Sequence, residues 1–136
     1  MREVDELRPS GIKRKLIVSP LIDTAAATGT DYPVAHFPHG AKLLSLKTCP
    51  VSALSANASS TTLDLGVAAD GDTVIDGFAL TDSQAIGVVA EMINTPGTNG
   101  GLKVIPVNTT IFCEVVLQDA DGGKLVIIVE YEDQNN

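Results

Sequence analysis

Hydrophobic and polar positions alternate with a period of two along several short stretches of this chain. The clearest is TTLDLGV, residues 61–67, in which one side carries Thr61, Leu63, Leu65 and Val67 and the other carries Thr62, Asp64 and Gly66. Successive side chains of a strand point to opposite faces, so this alternation predicts a half-buried β-strand. AKLLSLKTCPV, from Ala41, predicts a further strand.

RKLIVSPLI, residues 14–22, predicts a short apolar strand that Pro20 interrupts. Proline has no N–H to donate to a sheet. We therefore expect this strand at a sheet edge or paired with another subunit.

The C-terminal stretch VIPVNTTIFCEVVLQDADGGKLVIIVEYE, residues 104–132, predicts a short strand followed by a hairpin, because two β-forming runs flank the turn-rich DADGG. One face of the two runs carries Ile111, Cys113, Val115 and Leu117, then Leu125, Ile127, Val129 and Tyr131. The opposite faces are apolar as well and carry Phe112, Val116, Val126 and Ile128. Burial on both faces predicts a central strand pair in a sandwich or a contact between subunits. Those last four residues are the candidates for self-association.

The segments between these strands are mostly predicted to be loops. Residues 23–40, 52–60 and 95–101 are rich in small, polar, Pro or Gly residues. Residues 81–94 fit either a helix with Ile86, Val89 and Ile93 on one face or an alternating strand, and the valines favour the strand. Short strands about ten residues apart predict an all-β fold, an antiparallel β-sandwich or jelly roll. We expect an extended N-terminal arm, residues 1–22, and a single β-sandwich domain, residues 23–136.

The charge of the chain is strongly uneven. The net charge is −8, which argues against nucleic-acid binding because that depends on neutralising phosphates. Five of the nine basic residues nevertheless lie in the first fifteen positions, Arg2, Arg8, Lys13, Arg14 and Lys15, against three acids, a local net of +2. This segment is either an ordinary solvated terminus or an arm that docks on an acidic neighbour.

No residue pattern indicates catalysis, a cofactor or a metal. Cys49 and Cys113 lie in β-like runs, where small buried thiols are expected. His36 and His39 lack the further ligands of a zinc site, and DGDTVID and DADGG lack the full oxygen set of a calcium loop. A G-x-S-x-G nucleophile motif is absent, as is an apolar run of the ~20 residues that span a bilayer. We expect a protein that is not an enzyme and has no membrane or nucleic-acid partner.

Residues 41–131 carry four features in a fixed order. They are a strand ending in small residues, the alternating T-x-D-x-G strand, an acidic D-G-D…D-G loop, and a late N-T-T-x-x-x-E-V strand followed by G-K-L-V-I-I-V-E. In this order the chain resembles capsid decoration (cement) and head-fibre proteins of tailed bacteriophages, which have β-sandwich or jelly-roll domains. The Pro-rich segment 29–40 has no counterpart in that family.

The resemblance implies a structural virion protein that is made in the host cytoplasm and attaches to the outer capsid surface. Such proteins bind the major capsid protein, often as homotrimers at three-fold positions, and stabilise the shell. The N-terminal arm would then supply the capsid contact, through Arg2, Arg8, Lys13, Arg14, Lys15, Leu16, Ile17 and Val18. The alternative is a head-fibre module that binds a receptor or glycan, which needs exposed aromatics from a set of only five, Tyr32, Phe37, Phe78, Phe112 and Tyr131.

Overall fold

A computed structural model describes residues 13–25, 29–68, 71–94, 101, 103–116 and 122–133, with Lys13 described by its backbone alone. The secondary structure in these ranges is almost entirely β. In chain order the strands are β1 (Lys13–Val18), β2 (Ile22–Asp23), β3 (Thr30–Phe37), β4 (Ala41–Ser52), β5 (Thr62–Gly66), β6 (Ile75–Ala79), β7 (Ala90–Glu91), β8 (Val104–Ile105), β9 (Thr109–Val116) and β10 (Lys124–Asp133). A short 3₁₀ helix covers Ala58–Ser60. Within these ranges no helix has the length and hydropathy to cross a membrane.

The strands form two antiparallel sheets. Sheet A has the order β1-β10-β4-β7, with the short strands β2 and β8 added to β10 and β4, and sheet B has the order β3-β9-β5-β6. Without β2 and β8, the eight remaining strands pair first with last, second with seventh, third with sixth and fourth with fifth. This is the pairing of a long antiparallel ribbon rolled into two layers, which is a jelly roll. The predicted fold class is confirmed.

The predicted C-terminal hairpin is wrong. β9 lies in sheet B between β3 and β5, and β10 lies in sheet A between β1 and β4. The two runs are consecutive in the chain, but the rolled ribbon sends them to opposite layers because each finds its partners far away in sequence. Each strand is central in its own sheet, but the two do not form the central strand pair that was predicted.

The core lies between the two sheets and is aliphatic. Sheet A contributes Leu43, Leu46, Leu125, Ile127 and Val129, and sheet B contributes Leu63, Leu65, Ile111, Cys113 and Val115, all nearly or fully buried. One aromatic pair bridges the layers, because the ring of Phe37 in sheet B meets that of Tyr131 in sheet A edge to face at 4.9 Å. Such a geometry is favourable for aromatic rings.

Two of the sequence assignments fail outside the C-terminal strands. The segment 23–40, predicted to be a loop, contains β3, because Val34, Ala35 and Phe37 bury against β9 despite the neighbouring prolines. The segment 81–94 is neither a helix nor a continuous strand, since only Ala90–Glu91 pairs with β4. The alternating strand at residues 61–67 is confirmed as β5, and the edge position of the strand before Pro20 is confirmed for β1.

The corner between β3 and β4 requires a glycine. Gly40 has a φ of +76°, in the left-handed region, and a Cβ there would lie 2.7 Å from the carbonyl oxygen of Ile105. A side chain would therefore be strained and would also collide with β8. The absence of a side chain at Gly40 thus allows the start of β4 to lie close to β8.

The carboxylate of Glu91 attaches the short strand β7 to β4. Its Oε1 accepts a hydrogen bond from Ser45 Oγ at 2.5 Å, and its Oε2 accepts from the backbone N–H of Leu46 at 2.8 Å. Oε2 also accepts from the N–H groups of Met92 and Ile93 at 3.1 and 3.2 Å. One side chain thus replaces the backbone pairing that a two-residue strand cannot supply.

We predict that Glu91→Ala lowers the free energy of unfolding by about 3 kcal/mol, because several partly buried donors lose a charged acceptor. Chemical denaturation measures the change. The matched control is Glu130→Ala on the outer face of β10, where a change of about 0.5 kcal/mol or less is expected. Equal losses in the two variants would contradict the role given to Glu91.

Candidate interaction surfaces

Strand β1 presents two different sides. The side chain of Ile17 packs against the core, and Lys15 lies on the same side, where its Nζ is 2.8 Å from the Asp133 carboxylate. That hydrogen bond raises the pKa of Lys15. Arg14, Leu16 and Val18 point the other way, and Leu16 and Val18 are 61% and 54% exposed. Strand alternation therefore divides the predicted capsid-contact residues into an inner and an outer set.

The outer set continues onto β10. Val18 lies opposite Ile128, and Val126 lies two residues further along the same side of that strand. Val126 and Ile128 are half-buried. We call the surface formed by Arg14, Leu16, Val18, Val126 and Ile128 the β1 face. Glu130 lies on the same side, opposite Leu16, and its Oε1 is 4.0 Å from Arg14 Nη1. An exposed apolar cluster beside an ion pair has the composition of a protein contact surface.

The structure separates several residues that the sequence grouped together. Phe112 and Val116 are half-buried on the outer face of sheet B, on the opposite side of the sandwich from Val126 and Ile128. The four self-association candidates therefore do not form one surface. Arg2 and Arg8 lie outside the described residues. The arm predicted for residues 1–22 is, from Lys13 onwards, bonded into sheet A through β1 and the start of β2.

The outer face of sheet B carries an acidic row that the sequence analysis missed. Asp31 on β3 lies opposite Glu114 on β9, and Glu114 lies opposite Asp64 on β5. No described strand of sheet B contains Lys or Arg. The described strands of sheet A carry both signs, with the cations Lys13, Arg14, Lys15, Lys42, Lys47 and Lys124 and the acids Asp23, Glu91, Glu130, Glu132 and Asp133. Only the strand register aligns these acids, because they are distant in the sequence. The two outer faces of the sandwich thus differ in charge.

Three carboxylates converge at the end of this row. Oxygens of Asp64, Asp72 and Asp76 all lie within 4.8 Å of one another. Burial raises the pKa of Asp64, and the charges of Asp76 and Asp72 raise it further, while the hydrogen bond from the Gly77 N–H opposes both. Oxygen ligands of this kind suit a hard cation such as Ca²⁺. Asp72 lies in the loop between β5 and β6, whereas Asp64 and Asp76 lie in those two strands.

The cysteines and histidines do not converge into a site. Cys49 is half-buried in sheet A and Cys113 is buried in sheet B, and both are free thiols. Burial raises the pKa of the Cys113 thiol, which makes it a poor nucleophile. His36 lies on strand β3, where its Nδ1 is 2.7 Å from Thr110 Oγ1, and His39 is exposed in the following turn.

Comparisons with known proteins reveal a shared fold. No family model and no curated protein sequence matches the chain significantly. Among solved structures, a chain of the cyanophage Pam1 capsid asymmetric unit is similar, with 21% sequence identity and a TM-score of 0.51. The alignment covers 89% of this chain and 84% of that chain, so the likeness extends over nearly the whole sandwich.

We predict that Asp76→Asn lowers the pKa of Asp64 towards its ordinary value, because it removes a nearby negative charge. Because its pKa is raised in the folded protein, protonated Asp64 stabilises the folded state at pH values below its unfolded pKa. This stabilisation is lost as the pH rises through the folded pKa and the carboxyl group ionises. The variant should therefore be more stable than the wild type at neutral pH. Titration of the Asp64 carboxyl carbon by NMR measures the pKa, and thermal unfolding at pH 7 measures the stability.

Glu130→Gln, on the other sheet, should leave the Asp64 titration unchanged, and a titration equally unchanged in Asp76→Asn would contradict the coupling.

Proposed function

We propose that this protein is a structural virion protein that binds the outer surface of a phage capsid and stabilises the shell. In this role it is a capsid decoration, or cement, protein whose partner is the major capsid protein. We further propose that it works as a homotrimer, as the sequence resemblance implies, and that it catalyses no reaction.

The observation that carries the proposal is the structural similarity to a chain of a phage capsid asymmetric unit. The alignment covers 89% of this chain and 84% of that chain, so the two chains are of similar length and share most of the fold. The sequence features at residues 41–131 point to the same class of protein independently of the coordinates. Both lines of reasoning support a structural role in a virion, and the capsid-decoration role rests on the sequence resemblance.

The β1 face is the surface that best suits attachment to the shell. It combines exposed aliphatic side chains with Arg14, on the sheet that holds all the described strand cations. The outer face of sheet B, with its acidic row, would then point away from the shell. Phe112 and Val116 lie on that second face and remain the candidates for contact between copies.

The aromatic side chains favour this role over glycan binding. All five aromatic residues of the chain lie in described segments. Phe37 and Tyr131 are buried in the core, and Tyr32, Phe78 and Phe112 are half-buried. A sugar platform needs exposed rings to stack on, and these positions offer no cluster of that kind.

We predict that the purified protein binds shells assembled from the major capsid protein of the same virus and raises their resistance to heat. Co-sedimentation with shells measures binding, and the temperature at which shells rupture measures stabilisation. Light scattering of the free protein should give the mass of a trimer. Aldolase added at the same concentration is the control for non-specific sedimentation.

Failure to co-sediment at saturating concentration would contradict the proposed function. Binding without a higher rupture temperature would contradict the stabilising role. A monomeric mass in solution would contradict the trimer and leave the shell-binding result to stand alone. Reproducible binding on a glycan array, with no binding to shells, would favour the head-fibre alternative.

A further inference from the structure

We infer that the turn at residues 86–89, together with Val51 beside it, is the surface through which copies of this chain contact one another. We call its exposed side chains, Val51, Ile86, Val88 and Val89, the apolar turn patch. The number of copies, three, rests on the proposed function. The choice of surface rests on the exposure of these side chains, on the hydrogen bonds that hold the turn and on the distribution of charge.

The apolar turn patch lies at the end of β4, where the chain leads into β7. Val51 is the next-to-last residue of β4, and the N–H of Gly87 donates to the carbonyl of Pro50 at 2.9 Å, which holds the turn against this end of the strand. The four side chains of the patch are between 45% and 65% exposed. Single exposed apolar residues are ordinary on a protein surface, whereas a cluster of this kind marks a site of contact with another protein.

Hydrogen bonds hold the turn in one shape. Gln84 is buried, and its side-chain N–H donates to the carbonyl of Val88 at 2.6 Å. The N–H of Val88 donates to the carbonyl of Ala85 at 3.2 Å, and Gly87 between them has a φ of +81°, which glycine adopts without strain. Because the turn is already ordered, covering its apolar side chains with a partner costs little conformational entropy.

The chain segments that form this end of the sandwich carry no charge. Residues 48–63 and 83–90 contain no Lys, Arg, Asp or Glu. The two carboxylates that flank the second segment already accept hydrogen bonds, Asp82 from the N–H of Ser59 at 2.6 Å and Glu91 from the N–H of Leu46 at 2.8 Å. Depletion of charged residues is typical of the core of a protein interface.

The charge of the rest of the chain favours a second copy as the occupant. In a symmetric assembly, residues close to the axis meet the same residues of the other copies, so a charge there meets its like. The net charge is −8, and contact through the acidic row of sheet B would bring Asp31, Glu114 and Asp64 of one copy beside those of another. The apolar turn patch lets copies associate without that repulsion. A cationic partner, in contrast, would gain most from the acidic row.

The residues that the sequence suggested for self-association suit this contact less well. Phe112 and Val116 alternate with Glu114 along β9, so all three lie on the outer face of sheet B. A contact between copies through Phe112 and Val116 would therefore oppose two acidic rows, and like charges placed directly opposite are destabilising. Val126 and Ile128 belong to the β1 face, which the proposed function assigns to the shell.

Charged substitutions at position 86 test the contact. Ile86 is 65% exposed, so Ile86→Asp and Ile86→Lys should fold as the wild type does. In the contact either charge would be buried without a partner. We predict that each variant raises the dissociation constant of the trimer about a hundredfold or more. Light scattering over a range of protein concentrations measures this constant, and thermal unfolding confirms that each variant is folded.

Val107 supplies the matched control. It is 68% exposed and follows β8, which pairs with the start of β4, whereas the apolar turn patch lies at the end of that strand. Val107→Asp and Val107→Lys change the net charge by the same amounts as the two Ile86 variants. Their trimers should dissociate with constants within about threefold of the wild type. Because both signs of charge are compared, an effect of net charge is distinguished from the burial of a charge.

The outcomes separate this inference from the proposed function. A trimer that persists in both Ile86 variants would overturn the apolar turn patch as the contact and leave binding to shells standing. A wild-type protein that is monomeric at every concentration would also overturn the inference, and loss of shell binding in its Ile86 variants would show that the shell covers the patch instead. A wild-type trimer that Ile86→Asp dissociates but that does not bind shells would overturn the proposed function and support the inference.

Discussion

The antiparallel pairing of β10 with β1 on one side and β4 on the other is the constraint on which the rest of the structure depends. β10 alternates strictly, with Leu125, Ile127, Val129 and Tyr131 buried in the core. Its pairing with β1 joins the first strand to the last and closes the roll. Contacts between such distant parts of the chain are costly in loop entropy. They form only because both layers of the sandwich bury apolar surface at once.

This closure also determines how the two outer surfaces of the sandwich differ. By joining β10, β1 becomes the edge of sheet A, and its outer side chains merge with Val126 and Ile128 into the β1 face. The acidic row forms on the other layer, because β3, β9 and β5 pair there. The sandwich thus separates an apolar surface that carries charges of both signs from an acidic one. The proposed attachment to a shell would use the first of these two surfaces.

Local patterns predicted the individual strands better than their partners. The alternation at residues 61–67 and the apolar run before Pro20 were sufficient to predict β5 and the edge strand, because burial on one face leaves a direct mark on the sequence. The hairpin prediction was wrong because the turn residues of DADGG are compatible with a connection between the two sheets as well as with a turn within one sheet. The loop assigned to residues 23–40 failed because tertiary burial of Phe37 overrides the local effect of proline. The acidic row required the register of three strands, which no local pattern contains.

Hydrogen exchange of the β1 amides, compared between the free and the shell-bound protein, tests the account most directly. In the free protein the N–H groups of Leu16 and Val18 should exchange rapidly, while those of Lys15 and Ile17 are protected by β10. On the shell, Leu16 and Val18 should become protected to the level of their neighbours. Unchanged rapid exchange at both positions in fully shell-bound protein would contradict attachment through the β1 face.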